Sequence, residues 1–540
     1  MLSRGIRDVW LLWLALAIIT TLPYVVAVLR TPDGQVFTGV LSAYDDTFTY
    51  FAWMRQSVDG HILTCDLFTS ERQSCEFFLP LWVALGFVSR AAHVPIALTF
   101  HAARLLAILP LLFVARTVAA SVMKSRTRLR YTQWMYAMSG GLGWLVYGLN
   151  NRNGRGGGVA SGSIDLTMPE AIAFRAVFAQ VHFTVGTTLL CGAIHLCLSA
   201  LTHKKTSRAA VAGLLVSLLA VVHPYMVVVA LVVTAAASLA WPLLATVARL
   251  QTAQTAATFA GAMFPGVAYL VYLDRSNWLS HEWLRVTDTL SPAPWEYALG
   301  FGALFVLAVP GFVLIWRTGA PYSRLLFIWC LSQAALLYLP VNFQRRFVEG
   351  LQLPLSIAAS VAVFYISNRI GRKDRKYRTA FLSCVLVFVS LTSVGFIVGQ
   401  TISAASPDVA DPRRYVSADL FESLQWLREN AQPDAVVFSA YLTGNLTPSM
   451  TGLRVFLGHY GQTIRSDEKG AQVTAFYTNA LSDNEARQLF ADQQVRYVIY
   501  GPFERAISKD FTPPSWLELA HNSGDVEIYE VTDQRALDRR

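Results

Sequence analysis

The chain has 540 residues, of which 54% are hydrophobic and only 15% are charged, and its formal net charge is +9. A soluble protein carries about a quarter charged residues, so this composition excludes a soluble protein and indicates surface that faces lipid. The basic residues lie in short runs between apolar segments, and no nucleic-acid-binding module accompanies them, so we predict no nucleic-acid partner.

Eleven apolar segments approach the roughly 20 residues that a membrane-spanning helix needs. They are Val9–Leu29, Ile96–Met123, Tyr131–Asn150, Val181–Leu201, Ala209–Val222, Tyr225–Leu244, Ala256–Leu273, Tyr297–Trp316, Leu325–Val341, Leu351–Ile366 and Ala380–Val398. Phe77–Val88 is apolar but short, and we interpret it as a helix that lies along the membrane surface. Pro224 marks a turn between two of the spans. The sequence therefore predicts an α-helical membrane protein with about 11 spans.

The basic runs predict the orientation of these spans. Arg4 and Arg7 precede the first span, and the runs at 124–130, 204–208 and 369–378 fall on the same side when eleven spans are counted. Cytoplasmic loops are rich in Lys and Arg, so we expect a cytoplasmic N-terminus in the inner (plasma) membrane. An odd number of spans then places the loops 30–76 and 151–180, and the C-terminal region, outside the cytoplasm.

Two cysteines lie in the first outward loop, outside every apolar segment. Cys65 and Cys75 can pair if this loop faces an oxidising compartment. A metal site is the less favoured interpretation, because no second cysteine pair accompanies them. Functional residues often lie on loops that a rigid scaffold positions, so we expect the chemistry at the outer face.

From residue 404 the composition becomes that of a soluble domain. Ser417–Asn430 has the spacing of an amphipathic helix. Short β-rich runs follow at Ala435–Ser439, Arg454–Leu457, Val495–Tyr500 and Val526–Val531. We predict a transmembrane domain at 1–403, which includes the loop 30–76 with its membrane-lying helices, and an extracytoplasmic α/β domain at 404–540.

An acidic pair, Asp45 and Asp46, precedes an aromatic-rich stretch in the first outward loop. Adjacent helical residues point about 100° apart, so one carboxylate is expected to act and the other to support it. The acting group is either a general base for an acceptor hydroxyl or a ligand to a divalent cation. The alternative is that neither residue has a functional role: one of them caps the N-terminus of a helix and the other is exposed to solvent.

A pair of arginines, Arg345 and Arg346, lies on the outward side, against the charge rule that the other basic runs obey. Arginine holds phosphate through paired hydrogen bonds, so a lipid-linked phosphate is the expected ligand, with contacts to lipid headgroups as the alternative. Asp165 and Glu170 are candidate ligands, with Asp46, of a divalent cation such as Mg²⁺ or Mn²⁺, or they are ordinary loop carboxylates.

His182 and His223 lie at outward helix ends, and Tyr225 follows the second of them. We place these three side chains, together with Arg55 of the first loop, as candidate pocket residues beside the acidic pair. The alternative is that each histidine is a hydrogen-bonded structural residue. The sequence contains no motif for a P-loop, a dinucleotide fold, a zinc helix or a nucleophile elbow, so chemistry on cytosolic nucleotides is unsupported.

The stretch from Asp46 through its aromatic residues to Arg55 resembles the first outward loop of the GT-C membrane glycosyltransferases. The runs 60–63, 66–69 and 78–82 continue the likeness, and many spans followed by an outward α/β domain are similar to several bacterial members. The resemblance implies a sugar donor on polyprenyl phosphate or diphosphate. It also implies Asp46, or alternatively Asp45, as base or cation ligand, with a late-loop arginine near the lipid phosphate.

Two family signatures are absent from the sequence: the WWD-type motif of oligosaccharyltransferases and the Asp-Glu pair of protein mannosyltransferases. Their absence puts protein glycosylation in doubt. We therefore expect an inverting hexosyl or pentosyl transferase that acts on a cell-envelope glycan or lipid. The alternatives are a transporter or flippase of lipid-linked glycans, which usually shows repeated halves and charges within its spans, and a non-catalytic envelope scaffold.

Overall fold

The computed structural model describes residues 2–152, 163–244, 249–286, 288–371, 374–409 and 411–532. Residues 153–162 of the second predicted loop, 372–373 of the last basic run and 533–540 of the predicted C-terminal domain lie outside this range. α-Helices form at Leu2–Leu29, Tyr44–Val58, Pro80–Ala92, Ile96–Ala120, Arg126–Met138, Gly143–Arg152, Ile164–Thr167, Ala173–Ala179, Val181–His203, Thr206–Val222, Met226–Leu244, Arg249–Ser276, Trp278–Val286, Pro294–Arg317, Pro321–Leu336, Gln352–Ile370, Arg375–Ala405, Ala418–Asn430, Tyr441–Thr451, Ser466–Tyr477, Asp483–Asp492 and Pro502–Arg505. Short 3-10 helices form at Pro169–Ala171, Gln344–Val348 and Pro407–Val409.

Eight helices within the described residues are long and apolar enough to cross a membrane. They are Gly5–Leu29, Ile96–Ala120, Val181–His203, Met226–Leu244, Arg249–Ser276, Pro294–Arg317, Gln344–Ile370 and Arg375–Ala405. Each coincides with one of the eleven predicted spans, so the prediction of a multi-pass helical membrane protein is confirmed. The span number and the orientation stay predictions.

The other three predicted spans take a different form. Tyr131–Asn150 is interrupted near Gly141, where a Cβ atom would lie 2.2 Å from the carbonyl oxygen of Leu299, so this close approach requires glycine. Thr206–Val222 and Pro321–Leu336 are single helices of 17 and 16 residues, shorter than a typical span. The predicted membrane-lying segment also forms a short helix, at Pro80–Ala92.

The chain divides into two compact units that are not continuous in sequence. The helical unit comprises Met1–Leu22, His101–Tyr272 and Asp288–Gln400, and the sheet unit comprises Pro23–Phe100, Leu273–Thr287 and Thr401–Arg540. The contacts thus group the first outward loop with the C-terminal region, whereas the predicted division at 403/404 assigns that loop to the membrane domain.

Small residues allow close packing in the helical unit. Pro294–Arg317 packs against Gln352–Ile370. At Gly311 a Cβ atom would lie 1.9 Å from the carbonyl oxygen of Ala358. Helices in lipid associate through such close van der Waals packing, because the hydrophobic effect does not favour helix–helix contact over helix–lipid contact.

The sheet unit contains two sheets. β1 (Gln35–Phe37) pairs antiparallel with β2 (Tyr415–Ser417), which ties the first loop to the C-terminal region. β3 (Val436–Phe438), β4 (Arg454–Val455), β5 (Val495–Tyr500), β6 (Leu517–Ser523) and β7 (Val526–Val531) form the second sheet in the order β4-β3-β5-β7-β6. β3 pairs parallel with β4 and β5, and the other pairs are antiparallel. The predicted strand regions and the amphipathic helix are thereby confirmed.

The expected Cys65–Cys75 disulfide is formed. The ring that it closes contacts the C-terminal part of the sheet unit. The amide of Val455 donates to the carbonyl of Leu67 at 2.9 Å, and the Thr463 hydroxyl donates to the carbonyl of Phe68 at 2.7 Å. The buried Lys469 ammonium lies 2.8 Å from Glu71. These bonds hold the segment that follows β4 against the disulfide ring.

Candidate active site

The helix Tyr44–Val58 carries the acidic pair in its first turn. Its N-cap is Ala43, which lies in the left-handed region at φ 50° and makes no side-chain cap. Neither Asp45 nor Asp46 is therefore the N-cap that the alternative interpretation requires. Both carboxylates lie where the helix dipole favours negative charge.

Asp45 is held by two side chains of the C-terminal region. Arg413 Nη1 donates to Asp45 Oδ1 at 2.8 Å, and the Tyr441 hydroxyl donates to the same oxygen at 2.6 Å. Arg413 is in turn fixed by Asp411 through two bonds of 3.0 Å and by Asn445 at 3.1 Å. Asp45 is therefore a fixed carboxylate within a hydrogen-bonded network.

Asp46 points to a different partner. Its side chain is 56% exposed, and its Oδ1 lies 3.5 Å from Nε2 of His459, whose side chain is 15% exposed. The amide of Gly461 donates to Nδ1 of the same ring at 3.0 Å, which leaves the proton on Nε2, facing Asp46. Asp46 is therefore the more exposed carboxylate of the pair, and Asp45 is the one that an arginine and a tyrosine hold in place.

The electrostatics of His459 follow from this arrangement. Burial lowers the pKa of His459, but the hydrogen bond with Asp46 and the charges of Asp46, Asp45 and Asp66 outweigh burial and hold the pKa above its usual value. The Gly461 amide opposes that shift, since a second proton on Nδ1 would displace its hydrogen bond.

A buried carboxylate supports the helix that carries Tyr441. Glu504 accepts hydrogen bonds from the amide of Ala440 at 2.8 Å and from the Thr443 hydroxyl at 2.6 Å. Burial raises the pKa of Tyr441, and the hydrogen bond to Asp45 raises it further. Tyr441 therefore stays a protonated donor to Asp45 across the working pH range.

Arg55 does not lie in the pocket beside Asp46, contrary to the prediction. Nine residues separate the two, which is about two and a half helical turns and places them on opposite faces. Arg55 Nε donates to the carbonyl of Ser449 at 3.4 Å, and burial lowers the pKa of Arg55 to about 10.

The predicted phosphate-binding arginines lie in the helical unit, in the 3-10 helix Gln344–Val348. Arg345 Nε is 3.6 Å from Oε1 of the buried Glu170. The Arg346 guanidinium lies over the ring of Tyr225, 4.9 Å from its centre. Glu170 thus acts as a counter-charge to Arg345, while an aromatic ring supports Arg346.

His223 and His182 lie together in the helical unit, whereas the acidic pair lies in the sheet unit, so the predicted pocket beside that pair stays a prediction. Nδ1 of His223 is 2.9 Å from Oε2 of the fully buried Glu349, whose other oxygen accepts a hydrogen bond from Thr187 at 3.0 Å. The rings of His182 and His223 are 5.4 Å apart and nearly perpendicular. The structure therefore brings His223, Tyr225 and Arg346 into one cluster with Glu349.

The metal role predicted for Asp165 and Glu170 finds no support in their contacts. Asp165 Oδ2 accepts hydrogen bonds from the amides of Gly141 at 2.7 Å and Gly143 at 3.1 Å, and Oδ1 accepts the Ser163 hydroxyl. In the part of the chain that the structure describes, no three His, Cys, Asp or Glu side chains meet as a metal site. Asp165 instead fixes the Gly141 bend.

Sequence reasoning missed four residues of the two clusters: Arg413, Tyr441, His459 and Glu349. The first three contact the acidic pair from positions 368, 396 and 413 residues further along the chain. A local pattern does not reveal such distant partners. The available signal was the basic pair Arg413 and Arg414 at the start of a domain that is predicted to lie outside the cytoplasm, where basic pairs are unexpected.

No family model and no curated protein matches the chain. Solved structures do match it. The apo oligosaccharyltransferase of Archaeoglobus fulgidus aligns with a TM-score of 0.55 at 12% identity, over 91% of this chain and 69% of that chain. ArnT from Cupriavidus metallidurans bound to undecaprenyl phosphate aligns with a TM-score of 0.53 at 11% identity, over 96% and 97% of the two chains.

The arabinofuranosyltransferase AftD from mycobacteria also aligns, with a TM-score of 0.53 at 14% identity, over 96% of this chain and 41% of that one. All three are GT-C glycosyltransferases. At these identities the likeness establishes the fold alone. The chain therefore has the GT-C fold. This confirms the fold that we predicted from the resemblance of its first loop.

Proposed function

We propose that this membrane protein is a glycosyltransferase that moves a sugar from a polyprenyl phosphate or diphosphate to an extracytoplasmic cell-envelope glycan or lipid. The observation that carries the proposal is the exposed Asp46 carboxylate, set in the first turn of the first-loop helix beside an immobilised Asp45. The GT-C fold supports the same reaction class. We place the protein in the inner membrane with a cytoplasmic N-terminus and an extracytoplasmic sheet unit.

Asp46 is the better general base of the pair. Oδ1 of Asp45 already accepts hydrogen bonds from Arg413 and Tyr441. Proton uptake by Asp45 would weaken both bonds. Asp46 is more exposed, and an acceptor hydroxyl can approach it from solvent. Asp45 then holds the first turn of the helix in place.

The donor phosphate is assigned to the arginine cluster of the helical unit. Arg346, over Tyr225, and Arg345, beside Glu170, supply guanidinium groups that suit phosphate oxygens. The ArnT structure contains undecaprenyl phosphate, a ligand of this chemical class. His223, His182 and Tyr225 form the remainder of this proposed donor pocket.

The reaction is a single displacement with inversion. The acceptor oxygen attacks the anomeric carbon while Asp46 takes the hydroxyl proton. The bond between the anomeric carbon and the phosphate oxygen breaks, and the lipid phosphate leaves with that electron pair. Negative charge that develops on a leaving phosphate is of the kind that guanidinium groups stabilise.

We assign no step to a divalent cation. One structure of the A. fulgidus oligosaccharyltransferase contains Zn and sulfate. In this chain, however, Asp45 Oδ1 accepts from Arg413 and Tyr441, both ring nitrogens of His459 are engaged, and no third acidic or histidine side chain meets the pair among the described residues. Two donors do not fit a cation held by protein ligands alone. The exposure of Asp46 also opposes the scaffold alternative, which expects a buried acidic pair.

The test uses the full-length protein in lipid nanodiscs with a panel of radiolabelled polyprenyl-phosphate sugars and cell-envelope acceptors, with and without Mg²⁺ or Mn²⁺. We expect transfer by the native protein and loss of transfer in Asp46→Asn. Asp33→Asn, an equal change at an exposed acid of the same loop, serves as the control. Transport of labelled lipid without bond cleavage would overturn the proposal in favour of a flippase.

A further inference from the structure

We infer that His459 is a positioning residue for Asp46: its Nε2–H donates to Oδ1 and orients the carboxylate so that Oδ2 faces the acceptor hydroxyl. This inference rests on the proposed function and assigns a specific role to the C-terminal part of the sheet unit. His459 touches Asp46 and not the reacting atoms. Its contribution is therefore to geometry rather than to proton transfer.

Hydrogen bonds hold the backbone of the turn that carries His459. Thr463 and Gln462 donate their amides to the carbonyl of His459 at 2.8 and 3.0 Å. The amide of Gly458 donates to the Thr463 hydroxyl at 3.0 Å. The backbone is thus held by hydrogen bonds both before and after His459.

The ring itself has only one orientation that satisfies its contacts. The Gly461 amide occupies Nδ1, and Phe68 meets the ring edge-to-face with centres 6.1 Å apart. Turning the ring over would remove the Gly461 bond and place the carbon Cε1 where Nε2 now faces the Asp46 carboxylate. The structure therefore aims the one ring N–H at Asp46.

The contact with Asp46 is long, at 3.5 Å, as is common for catalytic hydrogen bonds before substrate binds. The carboxylates that face the ring are Asp46 and Asp45 from the first-loop helix and Asp66 from the disulfide ring. A donor directed at Asp46 relieves the repulsion between the neighbouring Asp46 and Asp45 carboxylates.

The chemistry of transfer is compatible with this role. Asp46 receives the acceptor proton on Oδ2, while Oδ1 keeps its hydrogen bond to Nε2–H. No proton leaves His459 in the step. A positioning defect of about 1 Å lowers rates by up to about 100-fold, so a loss of 10- to 100-fold in kcat is expected when the donor is removed.

The test compares full-length His459→Ala and His459→Gln in nanodiscs, using the donor and acceptor that the native protein turns over. We expect His459→Ala to lose about 10- to 100-fold in kcat with little change in the donor KM. His459→Gln retains more activity because its amide N–H can replace Nε2–H, and added imidazole restores part of the activity of His459→Ala. His61→Ala, at an exposed histidine of the first loop, is the control.

Native kcat in His459→Ala would overturn the inference, and so would equal losses in both variants with no response to imidazole. If His459→Ala fails to fold, His459→Gln alone decides. A kcat near native then supports the inference, and a loss as large as that of Asp46→Asn overturns it. Activity in Asp46→Asn would instead defeat the proposed function, so the two failures are distinguishable.

Discussion

The Tyr441 hydroxyl donates a 2.6 Å hydrogen bond to Asp45, although 396 residues separate the two in sequence. The neighbouring Asp46 faces His459 instead. Two adjacent acids of one helix are therefore held by different elements of the same unit. This division of contacts predicts different consequences for the two substitutions.

Asp45→Asn is expected to lower stability more than Asp46→Asn. The change removes the charge that Arg413 pairs with, and the pair is partly exposed, so the expected loss is about 1–2 kcal/mol. Thermal unfolding in detergent measures the difference. Asp411 and Asn445 still hold Arg413, so the variant should fold. Equal Tm values for the two variants would contradict the structural role of Asp45.

Arg346→Ala is expected to weaken donor binding by about 10- to 100-fold, because it removes a charged hydrogen-bond donor to phosphate. Binding of undecaprenyl phosphate to the full-length protein measures the effect directly. Arg369→Ala is the matched control, since Arg369 also lies over a tyrosine ring, that of Tyr365. Equal affinity in the native protein and in Arg346→Ala would remove Arg346 from the donor site.

Stability should depend on pH through Asp66. Burial raises the pKa of Asp66 to about 7, well above the usual value of an aspartate side chain. The folded protein then keeps a proton that the unfolded chain has released. This contribution is fully present below about pH 4 and is lost as the pH rises through 7.

Asp66→Asn removes this pH dependence, because an amide stays neutral and its oxygen can still accept the amide of Phe68. The Tm of the variant minus the Tm of the native protein is expected to increase between pH 5 and pH 8. Asp467→Asn, at an exposed position, is the control. A difference that does not change with pH would contradict the assigned protonation state.

Loss of the Cys65–Cys75 disulfide is expected to lower both stability and activity. The double variant Cys65→Ser, Cys75→Ser opens a short ring, at a cost of about 3 kcal/mol in the chain-entropy model. The ring supports Thr463, which fixes the turn that carries His459. Tm and the transfer rate measure the two effects. Cys384→Ser, at an exposed free cysteine, is the control, and an unchanged Tm in the double variant would contradict the role of the ring.

The sequence predicted the long apolar helices, the amphipathic helix Ser417–Asn430 and four of the seven strands in the described residues because their signals are local. Apolar length identified the eight long helices, and Pro224 correctly marked the turn between Thr206–Val222 and Met226–Leu244. β6 was missed since it is an edge strand with a largely polar, exposed pattern. The continuous span predicted at Tyr131–Asn150 was wrong because the constraint at Gly141 comes from the distant Leu299.

The candidate site was predictable only in part, for the same reason. Asp45 and Asp46 were noticed because they precede an aromatic-rich stretch, and Arg345 and Arg346 because a basic pair is unexpected in a loop that is predicted to face outward. Arg55 was misplaced because the family resemblance gives order along the chain, whereas helical periodicity decides the face.

The partners Arg413, Tyr441 and His459 lie hundreds of residues away and carry no local signal. Only the fold shows which side chains meet the acidic pair.

The most direct test of the proposed reaction is the initial rate of sugar transfer from a radiolabelled polyprenyl-phosphate sugar by the native protein, Asp46→Asn and Asp45→Asn, each in nanodiscs and each checked for its Tm. We expect Asp46→Asn to lose at least about 100-fold in rate at an unchanged Tm, in line with the loss of a general base. Asp45→Asn should keep more activity at a lower Tm. Transfer by Asp46→Asn at the native rate would contradict the assignment of Asp46 as the base.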